Sequence, residues 1–239
     1  MSRAKTVLWG LALIGMMGAM VERMREMDSG PPQVRIVGPL RHVRMAALKE
    51  AVVPHLRGYW GTDLTAVAAA VRRLPWVAAA RAERIWPRTF QIELREQRPV
   101  VRWGNASLLN ARGEKFTPAD DVREYAGLPL LSGPEGYESR LLTAYRCMGA
   151  ALAPLGWHIV RLQVDSRRSW RLETREGMTL VLGRVRPEAA FEGVARALGQ
   201  LTADVRRRIG YVDARYNHGF ALRLREPATE VKHTQAQHG

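Results

Sequence analysis

Leu74-Pro75-Trp76-Val77, then Glu83-Arg84-Ile85-Trp86-Pro87, then Pro99-Val100-Val101-Arg102-Trp103, form the stretch on which the reading of this chain turns. It reads as the end of a helix, a strand, a tight turn and a second strand. Phe90, Ile92 and Leu94 alternate on one face of the returning strand, as a half-buried β-strand requires. Working back toward the N-terminus, Gln33 to Val37 reads as a short strand. Val43 to Val53 carries Ala47, Leu48, Ala51 and Val52 at helical spacing. Gly58-Tyr59-Trp60-Gly61 reads as a loop. Thr62 is then offered as the cap of a second helix whose inward stripe is Leu64, Val67, Val71 and Leu74. The order strand, helix, helix, strand, strand is a compact α+β unit of about 65 residues. That is small for an independent core, so both helices must pack on one sheet face.

Beyond Val100 the pattern changes to short strands divided by turn residues. Val100–Trp103, Ser107–Asn110, Lys115-Phe116, Trp157–Val164, Trp170–Thr174, Met178–Leu182, Tyr211–Tyr216 and Phe220–Arg225 are the strand candidates. One helix buries Leu141, Tyr145, Met148 and Leu152. A second starts at Pro187 and turns Ala190, Val194, Ala197, Leu198 and Leu201 inward. The fold class is therefore α+β, with a mostly antiparallel β domain and two helices following the first unit. Residues 226–239 have no apolar period and are expected to be disordered.

At the other end, Thr6 to Val21 is an uncharged apolar run between Lys5 and Glu22-Arg23. As a helix it covers about 24 Å, slightly short of a hydrocarbon core of ~30 Å. A retained anchor and a cleaved signal peptide both suit that length, and the weak cleavage context before Glu22 favours the anchor. Arg3 and Lys5 then hold the N-terminus in the cytoplasm.

The net charge of +14 over 239 residues comes almost entirely from arginine. The arginines are spread through every element, which favours a solvated surface over a nucleic-acid interface and leaves a weak anionic-surface interaction open. Cys147 is the only cysteine. Its place in an amphipathic helical pattern predicts a buried packing role. The six histidines lack metal-ligand spacing, no glycine-rich phosphate loop follows a strand, and Asp120-Asp121 reads as a solvated turn. No cofactor, metal or catalytic group is predicted. The last hairpin, in which Phe220, Leu222 and Leu224 alternate with Ala221, Arg223 and Arg225, admits two readings. It is an open edge awaiting another chain, or a terminal strand that caps its own sheet with arginine guards.

These motifs occur in one register with Gly133-Pro134-Glu135-Gly136, Arg167-Arg168-Ser169-Trp170, Leu182-Gly183-Arg184 and Tyr211-Val212-Asp213-x-Arg215-Tyr216. Together they make the chain resemble the FtsQ/DivIB family of bitopic bacterial division proteins. The resemblance implies a cytoplasmic tail at 1–5, a membrane helix at 6–22, a linker at 23–32, a POTRA domain (β-α-α-β-β) at 33–98 and an FtsQ-type β domain at 99–225. It implies a non-enzymatic hub in the bacterial inner membrane, concentrated at the septum, that binds FtsB and FtsL-type coiled-coil proteins and so controls septal peptidoglycan synthesis. Other division proteins would meet the POTRA domain. Inner-membrane lipid is a partner and nucleic acid is not.

By the same resemblance the partner adds a strand to the last strand. Arg215, Tyr216, Asn217, His218 and Gly219 shape the hairpin, and Phe220, Leu222 and Leu224 line the docking strand. Arg168, on a neighbouring strand, meets acidic side chains. An envelope-protein chaperone with a POTRA domain and a glycan-cleaving enzyme are the competing readings. The first needs tandem units or a barrel, and the second a carboxylate pair in a cleft.

Overall fold

The computed structural model describes residues 13–23, 33–119, 122–184, 187–216 and 219–225. Within them the chain divides into two compact units, one ending at Gln97 and the other starting at Arg98. Residues 13–23 are helical, with Leu13, Ile14, Met16, Met17 and Met20 exposed. Among the described residues no helix is long and apolar enough to cross a membrane. Residues 6–12 of the expected span, Asp120-Asp121 and the tail from 226 lie outside the described residues.

In the first unit, β1 (Gln33–Val37) runs parallel to β3 (Thr89–Glu96), which is antiparallel to β2 (Val77–Ile85), giving the order β1-β3-β2. The alternation along β3 is realised: Phe90, Ile92 and Leu94 are each at most 1% exposed. Helix α2 (Leu64–Arg72) lies against β2, and α1 (Met45–Val52) packs on α2. Two local expectations are corrected. Gly58–Gly61 is a helical turn rather than a loop. The cap of α2 is Asp63, whose carboxylate accepts the Thr65 and Ala66 N–H groups. Thr62 is buried instead, accepting from the Arg57 N–H and donating to the Gly58 carbonyl. A carboxylate out-competes a hydroxyl for the positive end of the helix.

Glu96 closes this unit. Its Oε1 accepts the backbone N–H groups of Arg41, His42 and Val43, each at 2.9 Å, and the His42 ring stacks on Trp76 with centroids 4.1 Å apart. Burial works to raise the carboxyl pKa, but the hydrogen bonds from Val43 and His42, and from Arg41, outweigh it and hold the pKa below the ordinary value. A depressed carboxylate contributes stability that is complete above about pH 4.5, the ordinary glutamate value, and is lost as pH falls through the folded value. Glu96→Ala, which leaves three donors without their acceptor, is expected to cost roughly 2–3 kcal/mol. It should also flatten the acid limb of stability against pH, measured by urea unfolding. An acid limb as steep as the parent's would count against this role.

The second unit is built on one nine-stranded sheet in the order β12-β11-β10-β9-β8-β7-β4-β5-β6. Its strands are β4 (Pro99–Trp103), β5 (Ser107–Asn110), β6 (Lys115–Phe116), β7 (Leu130–Ser132), β8 (Ile159–Val164), β9 (Trp170–Thr174), β10 (Thr179–Gly183), β11 (Ile209–Asp213) and β12 (Ala221–Leu224). Antiparallel pairs predominate, but β4–β7, β7–β8 and β10–β11 are parallel. Helices α3 (Glu138–Leu152) and α4 (Pro187–Gly199) pack on the sheet, and Leu141, Met148, Leu152, Phe191, Val194 and Leu198 join Leu131, Leu162, Trp170, Leu180 and Val212 in the core. Phe191 was missing from the inward stripe read from the sequence.

A third helix, α5 (Ala203–Arg208), was also missed, although Thr202 accepts the Val205 N–H as its cap. Cys147 is exposed rather than buried. It shares a face with Thr143, Arg146 and Ala150, away from the stripe Leu141, Ala144, Met148 and Leu152.

Candidate docking edge

β12 has β11 on one side and, among the described residues, no strand on the other. Its register with β11 is antiparallel: Asp213 faces Ala221, Val212 faces Leu222, Tyr211 faces Arg223 and Ile209 faces Leu224, with Gly210 as the bulged extra residue. Arg225 N–H donates to the Arg208 carbonyl at 2.7 Å. Alternation along an antiparallel strand then turns the N–H and C=O groups of Leu222 and Leu224 away from β11, toward the open side.

Leu222 and Leu224 stand opposite Val212 and Ile209, both fully buried, so the two leucines extend the apolar face at its rim. They are 40% and 42% exposed. The expectation of a half-buried strand is corrected here: every residue of β12 is exposed, and among the described residues no strand lies beyond it. Phe220 lies just before the strand and packs on the core.

Two arginines hold this edge in place. Arg215 Nε lies 2.9 Å from Asp213 Oδ1, and its Nη2 lies 2.6 Å from Oδ2. Those hydrogen bonds keep the Asp213 carboxyl below its ordinary pKa against the opposing effect of burial, and the Arg215 pKa is raised in return. At the far end Arg225 reaches across β11, donating to the carbonyls of Ile209 and Glu176. Gly210 permits this crossing, since a Cβ there would come within 2.9 Å of Arg225 Cγ. Arg225 therefore binds its own sheet and is no simple guard of the edge. Arg223 likewise lies over the Tyr211 ring at 5.6 Å.

Arg168 is not on a strand. It sits in the β8–β9 turn with φ of 63°, where Asp165 Oδ1 gathers the Arg167 and Ser169 N–H groups. That side-chain turn forces the left-handed residue and leaves Arg168 exposed. Tyr216 is 63% exposed and Gly219 is exposed, while Asn217 and His218 lie outside the described residues.

The β8–β9 turn, the ends of β10 and β11 and the start of β12 share one end of the sheet. A groove of about 1040 Å³ opens there against α4, with Leu182, Ala190, Val194 and Phe220 in its walls and Arg167, Arg184 and Arg215 among its lining cations. Arg167, Arg184 and Arg225 were not among the site residues chosen from sequence. The Arg167-Arg168-Ser169-Trp170 and Leu182-Gly183-Arg184 motifs were the available signal for the first two.

Both units of the chain are similar to known domains. Residues 31–97 match the POTRA domain, FtsQ-type, and residues 101–215 match the C-terminal domain of cell division protein FtsQ/DivIB. A protein named cell division protein FtsQ from Methylomonas methanica is 32% identical over 199 residues, covering 83% of this chain and 80% of that protein. The chain belongs to the FtsQ/DivIB family. The homologue of the same name from Allochromatium vinosum is 34% identical over 191 residues, covering 80% and 76% of the two chains. That from Coxiella burnetii is 29% identical over 218 residues, covering 91% and 89%. This is a cell division protein with a POTRA domain followed by a mostly β domain carrying helices, as the FtsQ/DivIB motifs implied. Among the described residues no cluster of three or more His, Cys, Asp or Glu is placed to hold a metal ion.

Proposed function

We propose that this FtsQ/DivIB member is a non-enzymatic, membrane-anchored scaffold that captures FtsB and FtsL-type coiled-coil partners by adding a partner strand to β12. The observation that carries the proposal is the open side of β12, where Leu222 and Leu224 are 40% and 42% exposed beside a buried core. An incoming strand completes the backbone hydrogen bonds of those two residues and covers their side chains, each worth on the order of 1 kcal/mol in apolar burial. The basic groove around Arg167, Arg184 and Arg215, with the exposed Arg168 in the turn beside it, suits acidic residues in the partner segment preceding that strand.

Residues 6–22 are the single span, with the N-terminus cytoplasmic and the rest in the periplasm, and the protein gathers at the septum. The apolar run of Thr6–Val21 beside Arg3 and Lys5 supports that placement. Other division proteins bind through the POTRA domain, and the complex governs septal peptidoglycan synthesis.

The test uses a photo-crosslinking residue at Leu224 in dividing cells, with the same residue at Lys115 on β6, at the opposite edge of the sheet, as control. A crosslink to the coiled-coil partner from position 224 alone, together with a midcell band of a fluorescent fusion, is the expected result. Equal crosslinking from both edges would defeat strand addition to β12. Diffuse envelope fluorescence through constriction would defeat the septal role.

A further inference from the structure

Two tryptophans project from one end of the POTRA unit. Trp86, in the β2–β3 turn, is 70% exposed, and Trp60, in the Gly58–Gly61 turn, is 64% exposed. Arg84 joins the two turns: it comes two residues before Trp86, its Nε donates to the Tyr59 carbonyl at 2.9 Å and its Nη2 to that of Trp60 at 3.3 Å. The other described tryptophans, Trp76, Trp103, Trp157 and Trp170, are all buried. Among the described residues the solvent exposure of indole is thus confined to this end.

The same end receives the chain from its N-terminal segment. The Gln33 N–H donates to the Arg88 carbonyl at 3.0 Å, so β1 begins beside the β2–β3 turn. From Arg23 to Gln33 is ten Cα steps, which extend at most about 35 Å. Arg57 is exposed and Arg88 is half-buried at this end. Among the described acidic groups at this end, Asp63 is engaged as the cap of α2 and Glu83 in accepting from Gln91 Nε2 at 3.0 Å.

Indole combines a large apolar ring with one N–H donor, which suits the headgroup layer of a bilayer better than water or hydrocarbon. Guanidinium groups beside it add attraction to anionic lipid. We infer that the Trp60–Trp86 end of the POTRA unit rests in the headgroup layer of the anionic membrane that holds the N-terminal segment. The inference depends on the proposed reading of residues 6–22 as an anchor. The membrane contact fixes the height and tilt of the POTRA unit above the bilayer, leaving its sheet edges free for proteins.

The experiment reconstitutes the full chain in nanodiscs of phosphatidylethanolamine and phosphatidylglycerol whose acyl chains carry bromine near the headgroups. Bromine quenches only nearby indoles. The chain has seven tryptophans, so W9F leaves six, of which two are at this end. W9F is expected to lose roughly a third of its emission, and W9F/W60F/W86F almost none. Equal quenching of those two variants overturns the inference, as does shielding of Trp60 and Trp86 that arises only when a protein partner is added. The variant W60F/W86F, which retains Trp9 within the apolar run, tests the anchor separately. If its emission is also untouched by bromine, the anchor reading fails and takes the inference with it. If Trp9 is quenched while Trp60 and Trp86 are not, the membrane contact alone is overturned.

Discussion

Leu222→Pro is expected to weaken the proposed binding of a coiled-coil partner of the FtsB/FtsL type by at least about 100-fold while leaving the sheet intact. The reason is the direction of one N–H group. Ala221, Arg223 and Arg225 direct their donors toward β11, as the 2.7 Å bond from Arg225 to Arg208 fixes, and Leu222 directs its own toward the open side. Proline at 222 therefore deletes a donor that the free protein does not use for pairing, and its ring obstructs the approach of a strand. Proline is tolerated on edge strands for this reason. Ala221→Pro is the contrasting variant. It removes a donor aimed at β11 opposite Asp213, and should unzip the hairpin itself.

Calorimetric titration of each variant with the partner's extracytoplasmic segment, alongside hydrogen exchange of Tyr211 and Asp213, separates the two effects. Parent-like affinity of L222P with β11 still protected would remove strand addition from consideration.

Trp170→Ala is expected to cost about 3–5 kcal/mol, the largest loss of any single truncation proposed for this chain. Trp170 is 2% exposed and opens β9, facing Val164 on β8 and Gly183 on β10, so both flanking strands converge on it. The Arg140 guanidinium of α3 lies 5.4 Å from its ring, adding a cation–π contact to the apolar burial. An alanine leaves a cavity that the flanking strands cannot close without losing their register. Exchange protection across β8, β9 and β10 should fall by roughly a thousandfold. Trp60→Ala, at 64% exposure, should stay within about 0.5 kcal/mol of the parent. Comparable losses in the two variants would show that burial of Trp170 does not carry this core.

The sequence reading succeeded where the signal was periodic and failed where neighbours competed. Phe90, Ile92 and Leu94 were assigned inward from alternation alone, and all three are buried. Thr62 lost its capping role to Asp63, one residue on, because the carboxylate suits the helix N-terminus better and the Thr62 hydroxyl is engaged by Arg57 and Gly58. Cys147 lies in an apolar segment, but its angular position beside Thr143 and Arg146 turns it to solvent. The resemblance puts Arg168 on a neighbouring strand, although the strands read from the residues stop at Val164 and resume at Trp170; it sits in the turn between them, gathered by Asp165.

The chain's own periodicities determined its local elements, the α+β character of both units and the motif order that marks the FtsQ/DivIB family, since each depends on contacts within a few residues. Strand order lies beyond that reach. That β12 ends the sheet follows from parallel pairing of β10 with β11 across α4 and α5, an association between segments some thirty residues apart. Only that long-range pairing exposes Leu222 and Leu224 and carries Arg225 back to Glu176, because a backbone hydrogen bond between distant segments is chosen by the whole core and not by the residues that make it.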